Sequence, residues 1–190
     1  MDFFELVKNT RSVRAFDPAV RLSHEELLRI VDCARLSPSS MNLQMLKLRL
    51  IETAEECRLI FPLTRWAGRI KDQQIPPEGQ EPTSYILICA DLSVSPAAES
   101  FQKDVGIVAE AMMLATGALG FGGCMIGSFQ KEEMARTLAL PDHLRPQLLL
   151  ALGKPAEKIV LTEAVNGEVG YYRKDGTHFV PKRSLSDLMI

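Results

Sequence analysis

The sequence has only four cysteines among its 190 residues, and none of them lies in a metal-binding spacing. They are Cys33, Cys57, Cys89 and Cys124, far apart, without a C-x-x-C pair or a histidine pair nearby. That arrangement argues against zinc and against an iron–sulfur cluster, so we expect no bound metal and reduced, mostly buried thiols. Cys124 follows two glycines and is the one candidate for a reactive thiol, but no neighbouring base can be named, which favours an inert side chain.

Excess charge of one sign is also absent. The chain has 22 Lys and Arg against 24 Asp and Glu, a formal net charge of −2 at pH 7. This balance argues against general binding to nucleic acid or to an anionic membrane, although a local basic site stays open. The N-terminus, M-D-F-F-E-L, lacks the basic start and the small cleavage-site residues of a signal peptide, which predicts a cytoplasmic protein. With 46% apolar and 24% charged residues, we expect one globular domain over residues 1–190.

Two common nucleotide-binding motifs are missing, although the stretch A-L-G-F-G-G-C-M-I-G-S-F at 118–129 is rich in glycine. A dinucleotide-binding fingerprint follows a strand, whereas this stretch follows a predicted helix, and Met125 stands where the last glycine would be. The sequence G-K-P at 153–155 lacks the Ser or Thr of a phosphate-binding P-loop. A helix C-cap at Gly120 and a turn into a strand explain one or two glycines. Close approach of a flat ligand to the backbone would explain the others.

Hydrophobic periodicity predicts a chain of mixed helices and strands. Strand 85–90 is continuously apolar, which indicates burial on both faces. Helix 104–119 is apolar nearly all round, which indicates a central buried element, and it is too short and too charged to span a bilayer. The predicted helices cover about 2–10, 23–37, 54–60, 104–119 and 131–140, and the predicted strands cover 46–51, 85–90 and 147–152.

Two segments have weaker patterns. Residues 62–82 are rich in Pro, Gly and Gln, which predicts a loop or a mobile helical excursion. Residues from 156 onward carry few core signals, so we expect this tail to wrap over another surface.

Three polar stretches offer groups for a ligand. R-S-V-R at 11–14 places two guanidinium groups around a hydroxyl just past a helix end, and arginine forks suit a phosphate or the oxygens of a heterocycle. A solvated basic turn is the alternative for that stretch. S-P-S-S-M-N-L-Q at 37–44 clusters hydroxyl and amide groups, although alone it could be a loop with side chain to backbone turns. P-K-R at 181–183 adds a basic pair near the C-terminus.

In this order and over essentially the full length, these stretches resemble the nitroreductase family of flavin-dependent oxidoreductases. The family pattern runs R-R-S-x-R-x-[FY], then P-S-S-x-N-x-Q, then a helix leading into G-L-G-x-x-x-x-I-G, then A-L-G-x-P and a basic C-terminal residue. The counterparts here are R-S-V-R-A-F at 11–16, P-S-S-M-N-L-Q at 38–44, residues 104–127, A-L-G-K-P at 151–155 and V-P-K-R at 180–183.

The resemblance implies an α+β, three-layer nitroreductase-like fold, in which helices flank a mostly antiparallel sheet. It also implies a homodimer with two FMN sites at the interface. In such proteins the C-terminal segment, here about residues 156–190, leaves its own subunit and wraps the partner, which would explain why it carries few core signals.

The resemblance also assigns roles to individual residues. Ser12 and Arg14 would contact the ribityl chain and pyrimidine edge of the flavin, with Arg14 offsetting negative charge on the reduced ring. Lys182 and Arg183 would hold the phosphate. Thr10 replaces the first arginine of the family pattern, so Arg11 and the two C-terminal cations would have to compensate.

Further contacts are implied from the partner subunit and from the glycine-rich stretch. Backbone groups around Gly122 and Gly123 would approach the central-ring nitrogen of the flavin, where hydride arrives and leaves. Glu110 replaces a glutamine common in the central helix, and M-L replaces the P-W that often follows Gln44. The residues expected to reach the flavin from the other subunit are Pro38, Ser39, Ser40 and Asn42.

The activity that the resemblance implies is a ping-pong cycle in which NADH or NADPH reduces FMN and a nitroaromatic, quinone or activated alkene then takes the electrons. No protein side chain need act as acid or base, so we predict no catalytic side chain and expect His24, His143 and His178 to lie at the surface. Three alternatives stay open: an FMN-binding module for storage or sensing, a specialised dehalogenase or flavin-consuming relative, and a protein without flavin.

Overall fold

The computed structural model of the protein describes residues 2–70 and 73–190. Helices and strands alternate as far as Pro155, and three further strands then follow, so the mixed composition that the sequence predicts is confirmed. The α-helices of the described part are α1 (Phe3–Asn9), α2 (His24–Arg35), α3 (Ala54–Ile60), α4 (Gln102–Ala118) and α5 (Lys131–Thr137). The strands of the described part are β1 (Phe16–Asp17), β2 (Leu46–Ile51), β3 (Ser84–Asp91), β4 (Gly122–Ile126), β5 (Leu144–Pro155), β6 (Lys158–Glu163), β7 (Tyr172–Lys174) and β8 (Thr177–Lys182).

Side-chain caps fix where the first three helices begin. The Asp2 carboxylate accepts the Phe4 N–H at 2.9 Å at the start of α1. Ser23 and Glu26 form a reciprocal capping box at the start of α2, which satisfies two backbone N–H groups that a helix leaves free. The Thr53 hydroxyl accepts the Glu56 N–H at the start of α3. The predicted positions of these helices are confirmed to within one or two residues.

The main sheet is built around β5, which is hydrogen-bonded to β1, β3 and β4, while β2 pairs with β3. Every one of these pairs is antiparallel. The register places Ile86 opposite Leu150, and Leu48 opposite Ile88. The predicted strands β2, β3 and β5 are therefore confirmed, and β5 extends three residues beyond the prediction at each end.

Alternation along β3 and β5 gives the sheet two apolar faces. Ile86, Ile88 and Leu150 belong to a core with residues of α2 and α4, whereas Tyr85 and Leu87 belong to a second core with residues of α3 and α5. Successive residues of a strand point to opposite faces, so a continuously apolar strand can feed both cores. The three-layer α+β fold with a mostly antiparallel sheet is confirmed.

Helix α4 ends in a Schellman motif. Gly120 has φ of +79°, its N–H is bonded to the Gly117 carbonyl at 3.0 Å, and the Phe121 N–H is bonded to the Thr116 carbonyl at 3.1 Å. A left-handed residue at this position favours glycine, because a side chain there is strained. The helix cap and the turn into a strand, β4, account for Gly120 without a ligand.

The tail forms a second, separate sheet of three strands. β8 pairs in parallel with β6 and antiparallel with β7. The turn between β7 and β8 is Asp175-Gly176, with both residues at positive φ, which is the geometry of a tight hairpin. These strands are absent from the sequence-based assignment. Wrapping of the tail around a partner stays a prediction.

Residues 62–82 contain little regular structure in their described part. A short 3-10 turn covers Phe61–Leu63, and Trp66 packs against the core under α3 and α5 while its indole N–H donates to the Thr64 hydroxyl at 2.8 Å. The predicted loop is confirmed there, and its residues 71–72 lie outside the described residues. No helix in the described chain is long and apolar enough to cross a membrane.

Gly123 should be intolerant of a side chain. An alanine Cβ there would lie 2.5 Å from the Ala151 carbonyl oxygen and 2.7 Å from Leu152 Cδ2, so backbone must move. We expect Gly123→Ala to lower the free energy of unfolding by about 1–3 kcal/mol, measured by urea denaturation. Gly127→Ala is the matched control, because its Cβ would meet no described atom within 4 Å. Equal stability of the two variants would contradict the packing argument.

Candidate functional site

A pocket of about 300 Å³ forms where the segment after α1 meets the last strand of the chain. Arg11, Ser12 and Arg14 line it from the N-terminal side, and Lys182 lines it from β8. We call it the arginine pocket. Four of the residues expected to bind a flavin are therefore brought together within one chain.

Successive side chains of the extended segment 12–15 point in opposite directions, so every second one reaches the pocket. Val13 and Ala15 are buried at 5% and 2% exposure, whereas Ser12 and Arg14 alternate with them and face the pocket. The Val13 N–H donates to the Gly123 carbonyl at 2.8 Å, which ties this segment to β4. The extended R-S-V-R segment is thus anchored by its apolar residues and presents its polar ones.

Side chains also alternate between two faces along β8. His178, Val180 and Lys182 share one face of the strand and line the arginine pocket. Phe179 points to the opposite face, where its ring stacks on Tyr172 with centroids 5.0 Å apart. One strand therefore supplies the pocket with an imidazole, an apolar side chain and an ammonium group.

A buried ion pair contacts the backbone of Arg14, one of the residues that line the pocket. The side chains of Glu157 and Arg173 are only 5% and 12% exposed and are paired with each other. Glu157 also accepts the backbone N–H of Arg14. This carboxylate consequently joins β7 of the tail to the N-terminal segment.

Arg14 contacts two side chains of the tail. Its guanidinium carbon lies 5.0 Å from the centroid of the Tyr171 ring, and its Nη1 lies 3.4 Å from His178 Nε2. The ring centroids of Tyr171 and His178 are 5.4 Å apart. The three groups form one packed cluster at the wall of the pocket.

His178 is 2% exposed, so the prediction that it lies at the surface is wrong. The tail folds into a sheet that turns this side chain inward, which the weak hydrophobic pattern of the tail does not reveal. Burial, and then the Arg14 and Arg173 guanidinium groups, lower the pKa of His178 to about 4. The imidazole is therefore neutral at pH 7 and accepts an N–H from Arg14. His24 and His143 are exposed, as predicted.

The second predicted motif, S-P-S-S-M-N-L-Q at 37–44, contacts the N-terminal end of α4. The Ser40 N–H and hydroxyl donate to the Asp104 carboxylate at 2.9 and 2.7 Å, and Asp104 is 2% exposed. Met41, Asn42 and Gln44 all have positive φ, between 50° and 54°. Such strain in side-chain-bearing residues is held only by strong local contacts and is concentrated at functional sites.

This loop lines a pocket of its own, of about 260 Å³, to which Ser39 and Asp104 contribute. Pro38 and Asn42 are exposed and do not line it. None of the four loop residues expected to bind flavin lines the arginine pocket of the same chain. Residues of α4 border both pockets.

The remaining predicted residues lie near the arginine pocket without lining it. Arg183 is exposed just after β8. Gly122 and Gly123 lie in β4, where an added Cβ would come within 3 Å of Val13 and Pro155 or of the β5 backbone. Packing inside the chain is therefore a sufficient reason for both glycines, and their approach to a flavin stays a prediction.

Sequence reasoning missed several residues of the pocket wall. Tyr171, His178 and Val180 come from the tail, and Met113 and Met125 come from α4 and β4. The D-G pair at 175–176 is a strong hairpin signal that would have placed β8 and its alternation. Glu110, noted as a departure from the family pattern, is the acidic residue of this wall.

The four cysteines are free thiols. Cys57, Cys89 and Cys124 are buried and Cys33 is half-buried, as expected of mostly buried thiols. Burial raises the pKa of the Cys124 thiol, although the nearby Arg14 guanidinium opposes that shift. A raised pKa leaves little thiolate at pH 7, which favours the inert interpretation of Cys124.

Comparison with known proteins gives a consistent result. The sequence model described as "Nitroreductase family" matches residues 7–154. A protein of Bacillus subtilis, provisionally named NAD(P)H nitroreductase YdgI, is 27% identical over 188 residues, covering 83% of this chain and 90% of that protein. The "FMN reductase (NADPH)" of B. subtilis is 26% identical over 172 residues, covering 80% of this chain and 65% of that protein.

A solved structure shares the fold. It is a provisionally assigned nitroreductase of Exiguobacterium sibiricum in complex with FMN, with a TM-score of 0.69 and 23% identity. The alignment covers 83% of this chain and 90% of that one. The three-layer architecture described above is therefore that of known nitroreductase structures.

Acid should destabilise the protein through His178. The unfolded histidine has a pKa near 6.5 and the folded one a pKa of about 4, so the unfolded state binds the proton more tightly. This stability is fully present above pH 6.5 and is lost as the pH falls towards 4. Between pH 7.5 and 4.5 we expect wild type to lose about 2–3 kcal/mol more than His178→Gln in urea unfolding.

The exposed histidine provides the control for this measurement. His143→Gln removes an exposed histidine instead of a buried one, so it should change the loss of stability in acid much less than His178→Gln does. A pH dependence that is the same in all three proteins would contradict the buried, neutral state of His178.

Proposed function

Since this chain belongs to the nitroreductase family, we propose that it is an FMN-dependent oxidoreductase that takes hydride from NADH or NADPH and reduces a small organic acceptor. The observation that carries the proposal is the arginine pocket, in which Arg11, Ser12, Arg14 and Lys182 converge. The FMN named for one relative and for one solved neighbour supports the choice of cofactor.

The residues of the arginine pocket fit the chemical groups of FMN. Three cationic side chains line it against one carboxylate, that of Glu110, so the wall favours an anion such as a phosphate. The Nε of Arg11 is buried and has no hydrogen-bond partner among the described residues. A buried guanidinium N–H without a partner is costly, and an oxyanion in the pocket could accept it.

Each residue then has a role in binding. Lys182 and Arg11 hold the phosphate, and the exposed Arg183 reaches it from the end of β8. Ser12 donates to the ribityl chain. Arg14 faces the pyrimidine edge, where its positive charge favours the electron-rich reduced ring. When bound, FMN supplies the hydride chemistry, and no side chain of the pocket is needed as acid or base.

A homodimer would complete the site. Pro38, Ser39, Ser40 and Asn42 do not reach the arginine pocket of their own chain, so the partner's copy of this loop would supply them. Exposed apolar side chains support an interface: Phe3 and Phe4 of α1 are 61% and 79% exposed, and Leu185 and Leu188 of the tail are 71% and 69% exposed. The extension at 156–190 would contact the partner, and Gly122 and Gly123 would approach the ring.

The acceptor class rests on the family and on the nitroreductase named for one relative. The acceptors of this proposal are nitroaromatics, quinones and activated alkenes. Donor and acceptor would use the same face in turn, which gives ping-pong kinetics. A cytoplasmic location also stays a prediction.

The first test is the visible absorption spectrum of the purified protein, loaded with FMN and then mixed anaerobically with NADH and with NADPH. We expect flavin bands that bleach with at least one donor. Bands that persist with both donors would favour a storage or sensing module. If FMN does not bind, the loss of affinity would be attributed to Thr10, which replaces the family arginine.

Lys182 should contribute to FMN affinity. Removing a charge-assisted hydrogen bond to the phosphate by Lys182→Ala should weaken binding by about 1–3 kcal/mol, measured by fluorescence titration. Arg183→Ala tests the second cation in the same way. Lys158→Ala is the control, because Lys158 is exposed on β6 of the same sheet and does not line the pocket. Equal dissociation constants for Lys182→Ala and Lys158→Ala would contradict the phosphate assignment.

A further inference from the structure

Arg14 is held by two side chains that come from the other end of the chain. Tyr171 precedes β7 and His178 lies in β8, and both contact the guanidinium group. We call these two residues the Arg14 clamp. Both residues follow residue 154, where the family match ends.

The clamp constrains the guanidinium in two directions. The Tyr171 ring lies 5.0 Å from the guanidinium carbon, which is within the range of a cation–π contact. His178 Nε2 lies 3.4 Å from Nη1, near the outer limit of a hydrogen bond. An arginine side chain otherwise samples many rotamers, so two contacts on one group restrict where its positive charge lies.

The charges around His178 keep it an acceptor. Arg14 faces it from the N-terminal segment and Arg173 from β7, while the Arg173 charge is balanced by Glu157. Lys182 of β8 and Glu110 of α4 line the same pocket. A proton on the imidazole would be repelled by two guanidinium groups. The neutral ring can therefore offer Nε2 to Arg14.

The accepting Nε2 places the imidazole proton on Nδ1. The Nδ1 atom is buried and has no partner among the described residues. Leaving a buried N–H unpaired is unfavourable. Stability alone therefore does not explain a histidine at position 178, whereas its contact with Arg14 does, because that contact orients the guanidinium group.

We propose that Tyr171 and His178 are positioning residues that fix the Arg14 guanidinium at the cofactor edge of the arginine pocket. The tail thereby supplies both Lys182 for the anionic end of the cofactor and the orientation of Arg14 for its ring. This inference rests on the proposed function, because the cofactor in question is FMN.

The first experiment needs no cofactor. Long-range ¹H–¹⁵N NMR of the FMN-free protein reports the tautomer and the titration of His178. We expect the Nδ1–H tautomer in wild type and a higher His178 pKa in Arg14→Met, which removes a nearby positive charge. Arg58→Met, at an exposed site on α3, is the control. A His178 titration and tautomer that Arg14→Met leaves unchanged would overturn the inference.

The second experiment measures FMN affinity and the flavin midpoint potential. His178→Phe keeps a ring but loses the acceptor, and we expect about tenfold weaker FMN binding, the scale of one hydrogen bond to a charged group, and a lower potential. His178→Gln restores an acceptor at the same place and should remain close to wild type in both. Tyr171→Leu removes the ring that contacts Arg14, so it should also weaken FMN binding and lower the midpoint potential.

Phe179→Leu separates positioning from loss of tail structure. Phe179 stacks on Tyr172 on the opposite face of β8, so this variant loosens the tail without touching the pocket. If it lowers affinity and potential as much as His178→Phe does, or if His178→Gln is no better than His178→Phe, the positioning role is overturned. Failure of wild type to bind FMN would instead contradict the proposed function, which the cofactor-free NMR result does not depend on.

Discussion

The carboxylate of Glu157 joins the two ends of this chain. It lies almost fully buried, pairs with Arg173 of β7 and accepts the backbone N–H of Arg14. An unpaired carboxylate in that position would be strongly unfavourable, so each contact supports the other. The arginine pocket depends on this group, because part of its wall comes from the N-terminal segment and another part from the tail.

Because the pocket needs residues of the tail, the part of the chain that matches the family does not contain the whole site. The match ends at residue 154, yet Tyr171, His178 and Lys182 all follow it. The main sheet, through β4, places the segment with Arg11, Ser12 and Arg14, whereas a small separate sheet closes the pocket around them. Among the described residues, the two parts meet through contacts such as those of Glu157 and Arg14. Changes in the tail can therefore alter the pocket without altering the main core.

Strong local patterns made most of the fold predictable. The continuous apolar run of β3 and the capping box at Ser23 each specify their element, because burial on two faces and paired caps leave few alternatives. β1 is too short for a periodic signal, and glycines obscure that of β4. The burial of His178 could not be predicted from the sequence, because the tail has few apolar residues. Its side chain is covered by Arg14, which is far away in sequence, and by Tyr171, which lies on the other side of the β7–β8 turn. The grouping of Arg11, Ser12, Arg14 and Lys182 was predictable only through the family pattern.

The alternation along β8 limits how the tail can vary in length. His178, Val180 and Lys182 reach the pocket because they are spaced by two along one strand. Loss or gain of one residue inside the strand would exchange its faces and turn Phe179 and Pro181 inward. Loss or gain of two residues would keep the same face and only shift which side chain lies beside Arg14. Relatives of this chain should therefore tolerate length changes in even steps within β8, and should place odd ones in the turn or the loop before it.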